Sequence, residues 1–119
     1  MAGIMDMAKD LGGALARTDE YQALRRAARA ADDDREIAEL RTTLEGLEGR
    51  ITTALRSGNE PDEEVANEYE SAVSKLQANS TYQGLVAAQS NFEKVVQKVN
   101  DTIQKGLEEG AESRIILSS

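Results

Sequence analysis

Carboxylates are the side chains through which this sequence could do chemistry. The commonest acid–base and nucleophilic residues, His and Cys, do not occur in its 119 residues. Asp32, Asp34 and Glu36 alternate like the opening of a calcium loop. However, the sixth position of such a loop would be Ile37 where glycine is needed, and no ligating Glu follows at the right distance. The run Asp32-Asp33-Asp34 directly precedes an apolar-striped segment, so these residues read as a helix cap complementing the helix dipole. A second acidic group, Asp62, Glu63, Glu64, Glu68 and Glu70, follows Pro61 and reads as a solvated helix face. A docking surface for a basic partner is its alternative reading. Paired carboxylates can hydrolyse glycosides, but these stand at helix starts expected to be exposed. Gly12-Gly13 lacks the Gly-Lys-Ser/Thr finish of a phosphate loop. Without Cys there is no thiolate for zinc or an iron–sulfur cluster and no disulfide. The expectation is a protein that is not an enzyme, with no catalytic, cofactor-binding or metal-binding residue.

The basic side chains gather in one place: Arg25, Arg26 and Arg29, with Arg17 and Arg35 nearby. Pairing with acidic helices of the same chain or another copy is the plainer account. A docking patch for an acidic partner or an RNA segment is the sharper one, and it makes Arg25, Arg26 and Arg29 the candidate partner-docking residues. The net charge of −8 argues against direct nucleic-acid binding, which relies on a basic footprint, and against anionic membranes. No segment approaches the roughly 20 apolar residues of a membrane span. Met1 to Met7 carries no signal-peptide apolar run. A cytoplasmic location is the expectation.

The elements that would position these groups are helices. From Tyr82 an apolar stripe runs Tyr82, Leu85, Gln89, Phe92, Val96, Val99, Ile103, Gly106, Gly110, in steps that alternate three and four. That alternation keeps one face turned to a partner helix, and it predicts a helix over 81–109. Ile37, Leu40, Leu44, Leu47, Ile51 and Ala54 repeat the pattern over 33–57, which Gly58-Asn59-Glu60-Pro61 should end. Val65, Tyr69, Val73 and Leu76 mark a helix over 61–78, closed by Asn79-Ser80. Thr18-Asp19 caps a short helix over 20–31, with Gln22 at a capping-box spacing from Asp19. Ile4, Ala8, Leu11 and Leu15 mark a weaker N-terminal helix. The one strand-like stretch, Arg114-Ile115-Ile116-Leu117, is too short to assign.

The fold class is therefore all-α: an elongated helical hairpin or bundle of two long and two or three shorter helices, with a coiled-coil-like seam. One domain over 1–110 and a C-terminal tail over 111–119 are expected. Aromatics amount to 3% of residues, so the core must be thin and built from Leu, Ile, Val and Ala. A thin layer covers its apolar face by folding back or by pairing with another copy. Leu85, Phe92, Val96, Val99 and Ile103 form the candidate self-association seam of a dimer or tetramer. Gln89, the polar residue in that seam, either fixes register from a buried position or lies at an exposed edge. Gly46 and Gly49 in mid-helix are either tolerated weak spots or sites of close helix approach.

One local echo stands out. Tyr21-Gln22-x-Leu24-x-x-Ala27 returns as Tyr82-Gln83-x-Leu85-x-x-Ala88, each just after a cap pair. Shared requirements of two helix starts account for it, and a duplication is the alternative.

The order of these features resembles the YlbF/YmcA family of small bacterial and archaeal regulators, including its YheA-like relatives. A weak first helix precedes Thr18-Asp19-Glu20-Tyr21-x-x-Leu24, an Ala-rich turn and Asp32-Asp33-Asp34. A long Leu-striped helix, a polar break and Leu76-x-x-Asn79-x-x-Tyr82-x-x-Leu85-x-x-Ala88 follow. The resemblance spans Asp6 to Leu107 and rests on helix starts and apolar positions. It implies a self-associating, helical-hairpin-like subunit without enzymatic activity. In some bacteria, members act in a complex that modulates the endoribonuclease RNase Y, and so affect mRNA processing, competence, sporulation and biofilm formation. Some hold iron–sulfur clusters through cysteines, which this chain lacks. No functional residue carries over from the resemblance. The expected function is thus a non-catalytic protein-binding regulator or adaptor, plausible as a modulator of an RNase Y-like RNA-processing complex. A prefoldin-like holdase or a structural helical subunit is the alternative.

Overall fold

The computed structural model describes residues 3–118, with side chains over 3–111. Five helices follow one another: α1 (Ile4–Ala16), α2 (Asp19–Asp32), α3 (Arg35–Arg56), α4 (Glu63–Ala78) and α5 (Ser80–Ser118). No strand occurs among the described residues.

The breaks between helices are set by caps. Thr18 accepts the Tyr21 N–H through its hydroxyl at 3.2 Å, and Asp34 accepts the Ile37 N–H at 3.0 Å. Asn79 accepts the Tyr82 N–H at 2.9 Å. Each satisfies a backbone donor that a helix start leaves free. At the end of α3, Gly58 adopts φ +76°. There the Asn59 N–H reaches the Ala54 carbonyl at 2.9 Å and the Gly58 N–H that of Leu55 at 3.1 Å. This is a Schellman turn, and its left-handed position suits glycine.

Two local expectations need correction. Gln22 does not close a capping box with Asp19; its amide crosses the break and donates to the Ala16 carbonyl at 2.8 Å. Pro61 stands ahead of α4, whose N-cap is Asp62. The helical backbone of α5 runs through Ser118, past the boundary at residue 110 and across Arg114 to Leu117. Ser119 and the side chains beyond Ala111 lie outside the described residues.

The helices form two antiparallel pairs. In one, α2 lies along the first half of α5: Tyr21 meets Phe92 with ring centroids 5.1 Å apart, while Ala31 packs near Leu85. In the other, α3 and α4 form a hairpin, with Asn79 opposite Glu36 and Tyr69 opposite Glu48. The pairs join where α2 and α4 end and α3 and α5 begin. Ala31, Ile37 and Leu85 are buried there, flanked by Leu24, Ala27, Ala28, Leu76 and Tyr82. Ile37, wholly buried, is the largest side chain in that state among the described residues.

The molecule extends over 69 × 37 × 22 Å with a radius of gyration of 22.1 Å. A compact chain of this length would have about 14 Å. Its accessible surface is 9358 Å², against roughly 6,300 Å² for a compact monomer of its mass.

Candidate protein-binding surface

The long seam of α5 divides into a covered part and an open part. Leu85 is buried, and Phe92, Val96 and Val99 are half-buried. Ile103 is 55% exposed and Leu107 66%. The change follows from length. The fourteen residues of α2 pack along the start of α5, and at about 1.5 Å per residue they run out long before thirty-nine do. Of the seam residues singled out in the sequence, Leu85 and Phe92 thus sit in the α2·α5 pair, Val96 and Val99 at its margin, and Ile103 beyond it. Gln89 is exposed, at the edge of this pair.

A second apolar surface lies on α1, which packs chiefly on α2. Ile4 is 80% exposed, Met5 81%, Met7 59% and Leu11 37%. Single exposed apolar side chains are ordinary, but a run of them on one short helix makes a candidate contact face. Sequence periodicity marked Ile4 and Leu11 as a face but gave no sign that the face would be open.

Arg25, Arg26 and Arg29 are all exposed on α2. Among the described residues the one ion pair is Arg41–Asp32 at 3.9 Å, so the three arginines make none with the acidic helix α4. Asp62, Glu63, Glu64, Glu68 and Glu70 are exposed as well. The structure keeps these basic and acidic groups apart and leaves both to solvent.

Two further surfaces flank the joint. Tyr82 and Val86 line a shallow apolar groove with Gln77, Gln83, Ala87 and Ser90. An open cleft between α3 and α4 is lined by Gly46, Gly49, Thr53, Ala54 and Val65. A methyl group added to Gly46 or Gly49 would meet nothing within 4 Å, so the two glycines serve no close approach within the subunit.

The polar chemistry is structural. Asp34 is held below the usual carboxylate range, first by its bond from the Ile37 N–H and then by Asn79 and the Glu36 and Thr81 groups, against some desolvation. Asn79 also donates to Glu36 at 3.0 Å, which ties the α2–α3 break to the α4–α5 break. No polar or charged residue is buried among those described, and no three His, Cys, Asp or Glu side chains converge on a metal position. No described helix is long and apolar enough to cross a membrane. The surface is equipped for contact with other chains through apolar helix faces rimmed by charge.

Comparison with known proteins agrees with this architecture. Residues 4–108 match the family described as "Control of competence regulator ComK, YlbF/YmcA". A UPF0342 protein of Staphylococcus saprophyticus is 28% identical over 106 residues, 89% of this chain and 93% of that one. Another from Streptococcus mutans is 30% identical over 86 residues, 72% and 76% of the two chains. Bacillus subtilis RicA, solved in complex with RicF, superposes with a TM-score of 0.81 over 91% of this chain and 96% of that chain, at 14% identity.

Proposed function

This chain belongs to the YlbF/YmcA family, and from that premise we propose that it is a non-catalytic, protein-binding regulator that assembles with copies of itself and with other proteins. One observation carries the reading. The subunit exposes roughly 3,000 Å² more surface than a compact chain of its mass, and apolar side chains on α1 and distal α5 lie open within it. A standard interface takes about 800 Å² from each partner, so the excess suffices for more than one contact. The RicA structure, in which a protein of this fold is held in complex with RicF, supports a protein partner.

The self-association surface is the seam of Leu85, Phe92, Val96, Val99 and Ile103, acting through its open end. The protein is a dimer or tetramer at micromolar concentration. Light scattering that finds a 12.9 kDa species alone would overturn this. Residues 1–110 act as one domain carrying both contact modes, with 111–119 an appendage to it.

The regulated process is RNA processing in the cytoplasm, through an RNase Y-like endoribonuclease complex. The support is family membership together with the net charge of −8, which favours contact with the proteins of the machine over its RNA. In a host with such a nuclease, deleting the gene should shift transcript ends and half-lives. Unchanged transcripts would remove this reading. Replacing Arg25, Arg26 and Arg29 together by Glu tests the basic patch. Recovery of the partner should fall while the helical content stays constant, and full recovery would make the patch a solvated face. The prefoldin-like holdase reading draws on the same exposed Ile4, Met5 and Leu107. It predicts suppression of aggregation of unrelated proteins, which a regulator with a defined partner does not show.

A further inference from the structure

The echo between Tyr21-Gln22 and Tyr82-Gln83 extends into three dimensions. Gln22 bridges its break to the Ala16 carbonyl, and Gln83 bridges its own to the Gln77 carbonyl, both at 2.8 Å. The Thr18 N–H bonds to the Leu15 carbonyl and the Asn79 N–H to the Leu76 carbonyl, both at 3.1 Å. Thr18 and Asn79 each cap the residue three further on. The same shift in numbering that carries Thr18 to Asn79 carries the α1 stripe Ile4, Ala8, Leu11, Leu15 onto the α4 stripe Val65, Tyr69, Ala72, Leu76. Thus α1–α2 and α4–α5 share one helix–break–helix geometry within the subunit.

Their surroundings differ. The α4 stripe is covered by α3: Ala72 is buried, and Val65, Tyr69 and Leu76 are half-buried. The α1 stripe is covered only at its end, where Leu15 is half-buried; Ile4 is 80% exposed and Leu11 37%. The counterpart of α3 is present in the sequence. It follows α2, and the stretch that follows the equivalent part of α5 is distal α5 itself. After a slip of two residues from that shift, the α3 stripe Ile37, Leu40, Leu44, Leu47, Ile51 matches the spacing of Val96, Val99, Ile103, Gly106, Gly110, with glycines where α3 carries Leu47 and Ile51. Because α3 is set off by the break at Asp33-Asp34, it folds back on α4, whereas α5 continues straight. Distal α5 therefore carries an α3-like face away from the rest of its own chain, with Ile103 and Leu107 open.

We infer that α1 of one copy packs on distal α5 of a second copy, and reciprocally, so that a two-fold dimer rebuilds between chains the contact that α3 and α4 make within one. The inference rests on the self-association proposed above and names its surfaces. A two-fold pair uses each face twice, which leaves neither open and closes the assembly. Small residues on both sides, Ala8 on α1 and Gly106 and Gly110 on α5, leave room for the helices to approach. The register follows from the hairpin. Tyr69 meets Glu48 there, and the corresponding residues are Ala8 and Leu107.

The test uses full-length chain and two double variants, Ile4→Asp with Leu11→Asp, and Ile103→Asp with Leu107→Asp. All four side chains are exposed in the subunit, so circular dichroism of dilute protein should be unchanged. A carboxylate at the α1 start is also compatible with the helix dipole. Light scattering should find the wild type at twice 12.9 kDa and both variants at 12.9 kDa. Because the chain has no Cys, Ala8→Cys and Glu108→Cys proteins can be mixed and treated with a short bis-maleimide. A cross-linked dimer should form in the mixture far more than in either protein alone. A monomeric wild type overturns self-association and this pairing together. A dimeric wild type that survives either double variant, or that gives no preferential cross-link, leaves self-association standing and overturns this pairing.

Discussion

In the α3·α4 hairpin, Leu47 is 4% exposed and Ala72 5%; on distal α5, Ile103 is 55% exposed and Leu107 66%. Both regions carry an apolar stripe stepping in threes and fours, and both lie beside a short-break helix start with the same cap chemistry. What separates them is the connection. After Ala31 the chain reads Asp32-Asp33-Asp34, and Asp34 turns its carboxylate back to cap a new helix. At the equivalent place after Phe92, α5 reads Glu93-Lys94-Val95, which offers no N-cap side chain and two good helix formers in Glu93 and Lys94. One break decides whether a stripe is covered by its own chain or left for another.

The largest effect should come from the residue at the joint of the two regions. Ile37→Ala removes the wholly buried side chain and should lower the unfolding free energy by about 2–5 kcal/mol, measured by urea denaturation. If the loss is below about 1 kcal/mol, the two pairs are not joined by this core. A paired substitution sharpens the contrast. Leu47→Ala should cost about 2–4 kcal/mol of subunit stability, as buried leucines do. Leu107→Ala in dilute protein should stay within about 0.5 kcal/mol, as exposed sites do. A large loss at Leu107 in dilute protein would mean that distal α5 is already covered within the subunit.

Much of this architecture was legible in the sequence because helix periodicity and caps are local. The stripes from Ile37 and from Tyr82, the glycine end at Gly58 and the polar break at Asn79 need no knowledge of distant neighbours. What could not be read was which stripe covers which. Leu85 and Ile103 lie on the same face with the same spacing, yet one is buried and the other open, because α2 reaches only the first. Gln22 differs from its sequence reading for a related reason. Its spacing from Asp19 suits a capping box, but the nearer unpaired acceptor is the Ala16 carbonyl across the break. For the arginines on α2, the plainer account is pairing with the acidic face of α4 in the same chain or in another copy. Within the subunit they do not pair, since α2 packs mainly on α5 and α4 on α3.

The break itself can be probed by pH. Asp34 has its carboxyl held below the ordinary range chiefly by the Ile37 N–H. A depressed folded-state value means the charged form stabilises the fold above the unfolded-state value, near pH 4, and that stabilisation is lost as pH falls toward the folded-state value. Asp34→Asn keeps a good N-cap but does not titrate. The wild type should lose more melting temperature than the variant between pH 5 and 2, about the span over which a depressed carboxylate is protonated. Equal acid slopes would show that the Asp34 charge contributes nothing to the break.

The smallest expected effect compares two glycines at matching kinds of place. A methyl group added at Gly46 of α3 or at Gly106 of α5 meets nothing within 4 Å in the subunit, and both residues lie inside helices. Relative to glycine, alanine favours a helix interior by up to about 1 kcal/mol. In dilute protein Gly46→Ala and Gly106→Ala should therefore stabilise by similar amounts. At concentrations where the protein self-associates, the two should part. Gly46 lines an open cleft beside α4 and keeps its gain, while Gly106 would lie against α1 of the second copy, where an added methyl opposes close approach. Chemical denaturation at two protein concentrations measures both. If Gly106→Ala gains as much in concentrated as in dilute protein, no helix approaches closely there, and the open stripe of α5 makes its contacts through Ile103 and Leu107 alone.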